Sequence, residues 1–296
     1  MSIEAERAVV SLWCARLIWA LLPVSAGTAL SDALNRWSVA PARVAAVLLW
    51  AAWTTGLVAL LAPRPWGLTA LRVIAPAAVV IVVLTISVTG AASAALAVSS
   101  CVVAAAFALS TPVAQASGNA LAYGDEIRFP IRVPLSLFLG PVPVAVALIG
   151  AGVSVGPLLL ATRHYVAGII VTVVGVAVAW ALARSLHSLA LRWVVLVPAG
   201  LVVVDPLTLA DPVLIRREQI RAVTRSQSPR TGAGGLDLRL GTLPGTIEVS
   251  LREPQSFARR RGRRSSELRE ADVVLVSTVK ADALVQAASA RRIAIA

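Results

Sequence analysis

YVAGIIVTVVGVAVAWALARSLHSLALRWVVLVPAGLVVVD, residues 165–205, changes character partway along. From Tyr165 to Leu189 it is almost wholly apolar, with Arg184 and His187 as its basic side chains. About 20 apolar residues at 1.5 Å rise cross a ~30 Å hydrocarbon core, so this part is expected to be a transmembrane helix. Past Arg192 the pattern becomes two β-branched runs, Trp193–Val197 and Leu201–Val204. Pro198-Ala199-Gly200 separates them, a hairpin turn in which glycine supplies a positive φ. A membrane helix that passes within a few residues into a β-hairpin divides the chain. Residues 1–190 form a polytopic helical domain and 191–296 a small soluble one.

Upstream the same apolar length recurs. Five further spans are expected at Val9–Leu30, Val44–Ala62, Gly67–Val88, Ala91–Val113 and Leu135–Ala161. Only Thr89-Gly90 clearly separates the third from the fourth, which predicts a tight helical hairpin. Glu4, Glu6 and Arg7 do not make the positive leader of a signal peptide, so Val9–Leu30 is taken as a retained first span. Composition agrees. Of 296 residues 58% are hydrophobic and 14% charged, against about 25% charged in a soluble domain. That excludes a wholly soluble protein.

The formal charge of +12 is concentrated at the C-terminal end, where residues 192–296 carry 17 Lys+Arg against 10 Asp+Glu, a net of +7. Basic segments favour the cytoplasmic side. With six spans, that places both termini in the cytoplasm of a protein of the cell membrane. Trp37, Trp66 and Trp193 fall near span ends, where indoles prefer to lie.

Beyond the first hairpin, Asp205-Pro206 and Asp211-Pro212 punctuate a loop. Short strands are expected at Val213–Arg216, Ile220–Thr224, Leu236–Leu240, Thr246–Leu251 and Val273–Ser277, then a helix at Ala281–Arg292 with arginines in its last turn. This order predicts a small antiparallel β-barrel capped by a helix. RWVVLVPAGLVVVDPLTLADPVLIRREQI at 192–220 and VVLVSTVKADALVQAASARRI at 273–293 resemble the bacterial pleckstrin-homology-like (PH-like) domains often fused to membrane helices. The whole arrangement resembles polytopic membrane proteins of actinobacteria. Within the PH-like pattern, EPQSFARRRGRRSSELRE at 253–270 reads as a basic insertion without strand character.

The insertion holds the most pointed local feature, Arg259, Arg260, Arg261, Arg263 and Arg264. Such a run can be a solvated loop, a contact for anionic lipid headgroups, or a nucleic-acid contact. It has one aromatic neighbour and no nucleic-acid-binding motif around it, which counts against the last. A domain joined to membrane helices favours phospholipid headgroups, where each basic residue contributes ~1 kcal/mol. Inside the spans, Arg16, Arg184 and His187 are the polar candidates, because charge in a bilayer is costly; snorkelling to the interface is the expected account of all three. No Asp or Glu lies within a span, unlike many proton-coupled pumps.

Asp125 and Glu126 sit in the connection 118–134, where adjacent carboxylates on a loop seldom converge on one metal. Gly232-Ala233-Gly234-Gly235 lacks the Lys-Ser/Thr of a phosphate loop and reads as a β-turn. Gly140-Pro141-Val142-Pro143 and Gly150-Ala151-Gly152 should bend the fifth span and let helices approach. Cys14 and Cys101 are apolar fillers. No catalytic residue, metal site or cofactor is indicated. The reading is a non-enzymatic membrane protein whose PH-like domain binds anionic headgroups or a protein partner such as another membrane protein. The alternative is a small transporter or an accessory transporter subunit regulated by that domain.

Overall fold

The computed structural model describes residues 3–120, 122–226, 235–262 and 265–296. It divides into a helical unit, Met1–Ser117 with Val142–His187, and a β unit, Gly118–Pro141 with Ser188–Ala296. The β unit therefore draws on two separate stretches of sequence.

The helices are α1 (Ile3–Ser25), α2 (Gly27–Leu34), α3 (Val39–Leu61), α4 (Pro65–Leu84), α5 (Ala91–Ala108), α6 (Thr111–Asn119), α7 (Leu135–Leu139), α8 (Pro141–Ala161) and α9 (Tyr165–Ala190). Six segments are long and apolar enough to cross a membrane: Val9–Leu34, Val39–Leu61, Pro65–Val88, Ala91–Ala108, Leu135–Ala161 and Tyr165–Ala190. This is a multi-pass membrane protein. The six expected spans recur with shifted ends. In the fifth, the chain breaks at Gly140 between α7 and α8, and Pro141 opens α8 at a position where the missing N–H is harmless. Val166, Val173 and Trp180 on α9 are 76%, 66% and 61% exposed, a surface suited to lipid rather than water.

Small residues let these helices meet. On α5, Ala94, Ala97, Cys101, Ala104 and Ala108 form a buried stripe, and α5 packs on α1 and α4. Trp19 of α1 lies over Gly56 of α3, where an added Cβ would fall 2.1 Å from the indole. The two helices also exchange bonds: Trp19 Nε1 donates to Trp53 O (2.9 Å) and Trp53 Nε1 to Trp19 O (2.8 Å). Between α8 and α9, a Cβ on Gly152 would lie 2.5 Å from Gly175 O, and one on Gly156 would lie 2.2 Å from Thr172 Oγ1. Gly150 faces open space, so of the expected close-approach glycines only Gly152 is used.

The β unit contains β1 (Ile127–Pro130), β2 (Trp193–Val197), β3 (Gly200–Val204), β4 (Val213–Arg216), β5 (Ile220–Arg225), β6 (Gly235–Asp237), β7 (Thr246–Arg260), β8 (Ser266–Ser277) and the helix α10 (Ala281–Ala290). One sheet has the order β1-β2-β3-β4, the other β5-β7-β8-β6. All pairs are antiparallel except β6 with β8. Neither sheet closes, so the expected barrel is corrected to two open sheets. They share one core that includes Val194, Leu201, Ile215, Ile247, Phe257 and Val274. Bridges at Ile131–Thr278 and Leu209–Arg259 join them. Leu284 and Ala288, four apart on α10, are both fully buried in that core, as their shared face predicts.

Three local expectations change. The connection 118–134 contributes β1, which pairs with β2 from Ile127–Leu196 to Pro130–Trp193; so short a strand, ending in proline, carries no readable alternation. The 253–270 segment is no strandless insertion, since Gln255–Arg260 pairs with Ser266–Ala271. Most of that hairpin is exposed, so the hydrophobic alternation that marks a half-buried strand is missing. Finally, α10 stops at Ala290, which leaves Arg291 and Arg292 beyond its last turn. There Arg292 N–H donates to Ser289 O (2.9 Å) and Ile293 N–H to Ala288 O (3.1 Å). These are the two bonds of a Schellman turn, with Arg292 at the left-handed position (φ 57°).

Candidate functional site: an arginine-rich hairpin tip

β7 and β8 continue past the core as a two-stranded hairpin. Phe257, fully buried, is its last apolar anchor and sits opposite Arg269. The ladder then runs Ala258–Leu268, Arg259–Glu267 and Arg260–Ser266 before the chain turns. The 205–210 segment braces the hairpin: Ala210 N–H donates to Ala258 O and Arg260 N–H to Thr208 O, both at 2.8 Å. The backbone beneath the arginines is therefore held at both edges.

Arg259, Arg260 and Arg261 are all exposed. Arg261 pairs with Glu267 at 2.6 Å, but both side chains are more than half exposed, so the pair contributes at most ~1 kcal/mol. The side chains of Arg259 and Arg260 make no hydrogen bond or ion pair among the described residues. Leu268 is 77% exposed. It opposes Ala258, two residues before Arg260, so it lies on the same face of the hairpin as Arg260. Arg260 thus lies beside one apolar side chain, and Arg259 falls on the opposite face of the hairpin. Arg263 and Arg264 lie outside the described residues, as do Gly232, Ala233 and Gly234.

Beside the hairpin, Asp237 of β6 accepts from Arg239 Nε (2.9 Å) and Nη2 (2.7 Å) and from its backbone N–H (2.9 Å). Burial pushes the Asp237 carboxyl up. The bonds from Arg239, with the charges of Arg239 and Arg259, outweigh burial and hold it below the usual value.

The three intramembrane candidates part company. Arg16 Nε donates to Leu60 O at 3.0 Å, and the guanidinium lies 4.8 Å from the Trp13 ring. Leu60 is in the last turn of α3, where carbonyls lack intrahelical partners, so Arg16 caps that helix. Arg184 is exposed and has no partner among the described residues. His187 does not snorkel. It is 8% exposed, stacked on Trp66 (centroids 3.6 Å apart), with Nδ1 2.9 Å from Thr69 Oγ1. The Thr69 hydroxyl donates to Pro65 O, which leaves it to accept from Nδ1–H. Trp66 in turn lies parallel to Trp180 of α9. His187 is accordingly a latch between α4 and α9.

Sequence reasoning missed one strong polar feature. Arg192 and Asp205 form a fully buried two-pronged ion pair, Nε–Oδ1 2.8 Å and Nη2–Oδ2 2.7 Å. Arg192 also donates to Arg132 O (3.1 Å) and Leu238 O (3.3 Å), and Leu207 N–H donates to Asp205. It ties β2, β3 and the residues after β1 and β6 together, which makes its role structural. The signal was there as an arginine at a strand start and an aspartate at the end of the next strand. Their pairing follows from the β2–β3 register, which joins Trp193 to Val204. In the 118–134 stretch, Glu126 pairs with Arg128 at 3.2 Å, and Asp125 is exposed.

No protein-family model, curated protein or solved structure matches this chain.

Proposed function

We propose that this is a non-enzymatic protein of the cell membrane whose β unit binds anionic lipid headgroups through the β7–β8 hairpin tip. The observation that carries the reading is the pair of exposed arginines Arg259 and Arg260, free of hydrogen bonds and ion pairs among the described residues, on a braced backbone. A guanidinium fork suits phosphate geometry, and the exposed Leu268 beside it suits partial entry into the headgroup layer. The two-sheet core with a final helix supports a PH-like arrangement for this unit. β1 comes from between the fourth and fifth spans and pairs with β2 after the sixth. That pairing supports a topology in which both stretches lie on one side of the membrane, and six spans then bring the N-terminus to the same side. The net positive charge of residues 192–296 makes that side the cytoplasm.

Residues 191–296 alone lack β1, so the test uses the full chain. With Cys14 and Cys101 replaced by alanine, a solvent-sensitive fluorophore is placed at Ser265 and the protein is put into nanodiscs. In phosphatidylglycerol discs the probe should report a drier environment, and the signal should fade as salt shortens the ~8–10 Å Debye length. In phosphatidylcholine discs it should not respond. Replacing Arg259, Arg260, Arg261, Arg263 and Arg264 with glutamine should remove the response. An equal response in both lipids, or one that survives the five substitutions, overturns the reading.

A further inference from the structure

Away from the hairpin tip, the β unit has a second basic feature. A shallow, open concavity of about 270 Å³ is lined by Asp125, Pro198, Arg217, Ala290, Arg291 and Arg292. Four segments converge there: the turn before β1, the β2–β3 turn, the 3-10 turn after β4 and the end of α10. Three of the six lining residues are arginines and one is acidic, a local excess of positive charge. We propose that this concavity is a binding site for a phosphate ester.

Three observations carry the assignment. First, the arginines are preorganised. Arg291 donates from Nη2 to the backbone oxygen of Asp125, a contact that orients its guanidinium without neutralising it. The Schellman turn fixes the direction in which Arg292 leaves the helix end, and Arg217 opens a 3-10 turn whose N–H donates to Ala199 O at 2.9 Å. Second, the side chains of Arg217 and Arg292 have no hydrogen-bond or ionic partner among the described residues, so their donors are available to a ligand. Third, two of the carbonyls at the end of α10 are already engaged: Ala288 O accepts from Arg291 and Ile293, and Ser289 O from Arg292.

The ligand class follows from the donors. Guanidinium groups from different segments match the several acceptor oxygens of a phosphate better than a single carboxylate. Asp125 sets a limit. Its carboxylate on the rim opposes an anion, so the site in the native protein is of modest affinity, and removing that charge should strengthen it. The phosphate can belong to a soluble phosphate ester or to a lipid headgroup. None of the lining residues belongs to the hairpin tip, so this site and the proposed lipid contact stand or fall separately.

The full chain in an uncharged detergent is titrated calorimetrically with glycerol 3-phosphate and, in a separate arm, with a short-chain phosphatidic acid in the same detergent. At least one should bind. Arg217→Gln and Arg292→Gln should each weaken binding about tenfold, the equivalent of ~1.4 kcal/mol. Asp125→Asn should tighten it. Glutamine at Arg259, Arg260 and Arg261 should leave it unchanged. Binding of glycerol 3-phosphate identifies a soluble ester as sufficient. Binding of phosphatidic acid alone, with the same dependence on Arg217 and Arg292, identifies a lipid headgroup as the source. Hydrogen exchange of the β-unit amides checks that each variant is folded. No binding in either arm, or binding that folded Arg217 and Arg292 variants retain in full, overturns the proposal.

Discussion

Arg16 in the helical unit and Arg192 in the β unit both withdraw a guanidinium from water, and they are satisfied differently. Arg16 is half-buried and meets one helix-end carbonyl and an indole face. Arg192 is fully enclosed and meets a carboxylate plus two carbonyls. The spans of the helical unit offer a single carboxylate, Asp32, exposed near the end of the first. Its polar groups instead use backbone oxygens that the helices already expose at their ends, or a neighbouring hydroxyl, as His187 does with Thr69. A protein surrounded by lipid gains little by burying more carbon, so close backbone contact through small residues takes over the work of cohesion. The β unit relies on a conventional apolar core and can hold an ion pair inside it.

The largest effect that would break this contrast is at the ion pair. Replacing Arg192 with methionine strands the Asp205 carboxylate in the core, and the loss should be ~3–5 kcal/mol. Asp205→Leu should do the same from the other side. The double substitution should recover most of the loss, because two apolar side chains of similar volume remove both desolvation penalties. Hydrogen exchange of the β-unit amides in nanodiscs reads the change. A single variant with unaltered protection would mean that the pair carries no structural load.

Next in size are the glycines of the α8–α9 contact. Gly152→Val and Gly156→Val place carbon where Gly175 O and Thr172 Oγ1 already sit, and overpacking of this kind costs about 1–3 kcal/mol. Gly150→Val is the control, since its Cβ meets nothing within 4 Å. Thermal unfolding in detergent should separate the first two from the third. Equal effects at all three positions would remove the packing argument and leave only helix propensity. Smaller again is Arg16→Leu, which takes one cap bond from α3 and one cation–π contact. A loss of ~1 kcal/mol is expected by the same measurement, well short of Arg192. A loss as large as that at Arg192 would erase the contrast.

The two units were also unequally legible in the sequence. Span number and approximate position follow from apolar length alone, a property summed over many residues and indifferent to partners. The β2–β3 hairpin was equally plain, because Val-rich runs flank Pro198-Ala199-Gly200. Gly200 sits at φ 153° with Ile215 O 2.2 Å from any added Cβ. What stayed hidden depends on long-range pairing. β1 is four residues ending in proline and becomes a strand only against β2, over sixty positions away. The outer part of β7–β8 is charged on both faces, so no hydrophobic period announces it. The arginine run was visible, but its placement on a hairpin was not. The concavity of Arg217, Arg291 and Arg292 was invisible altogether, since its members are adjacent only after folding.

The smallest predicted effect lies at Asp237, where the β unit couples a carboxylate to its arginines. Hydrogen bonds from Arg239, aided by the charges of Arg239 and Arg259, hold this carboxyl below the ordinary value of 3.8 despite the opposing push of burial. In the unfolded chain that restraint is gone, so as pH falls the unfolded state takes up the proton first. The ionised group therefore stabilises the folded β unit fully above the ordinary carboxylate range, and that contribution disappears as pH drops through the folded value. Because the side chain is 37% exposed, solvent screens the interaction and the effect should be slight beside that of Arg192. Asp237→Asn should lower neutral-pH protection slightly and, by the same small amount, flatten the acid limb of β-unit stability below about pH 4. Arg259→Gln should raise the Asp237 titration midpoint, read from its carboxyl carbon resonance in selectively labelled protein. That shift would tie the hairpin tip electrostatically to the edge strand β6. An unmoved midpoint would show that Arg239 alone sets the carboxylate and that the tip arginine is free to face outward.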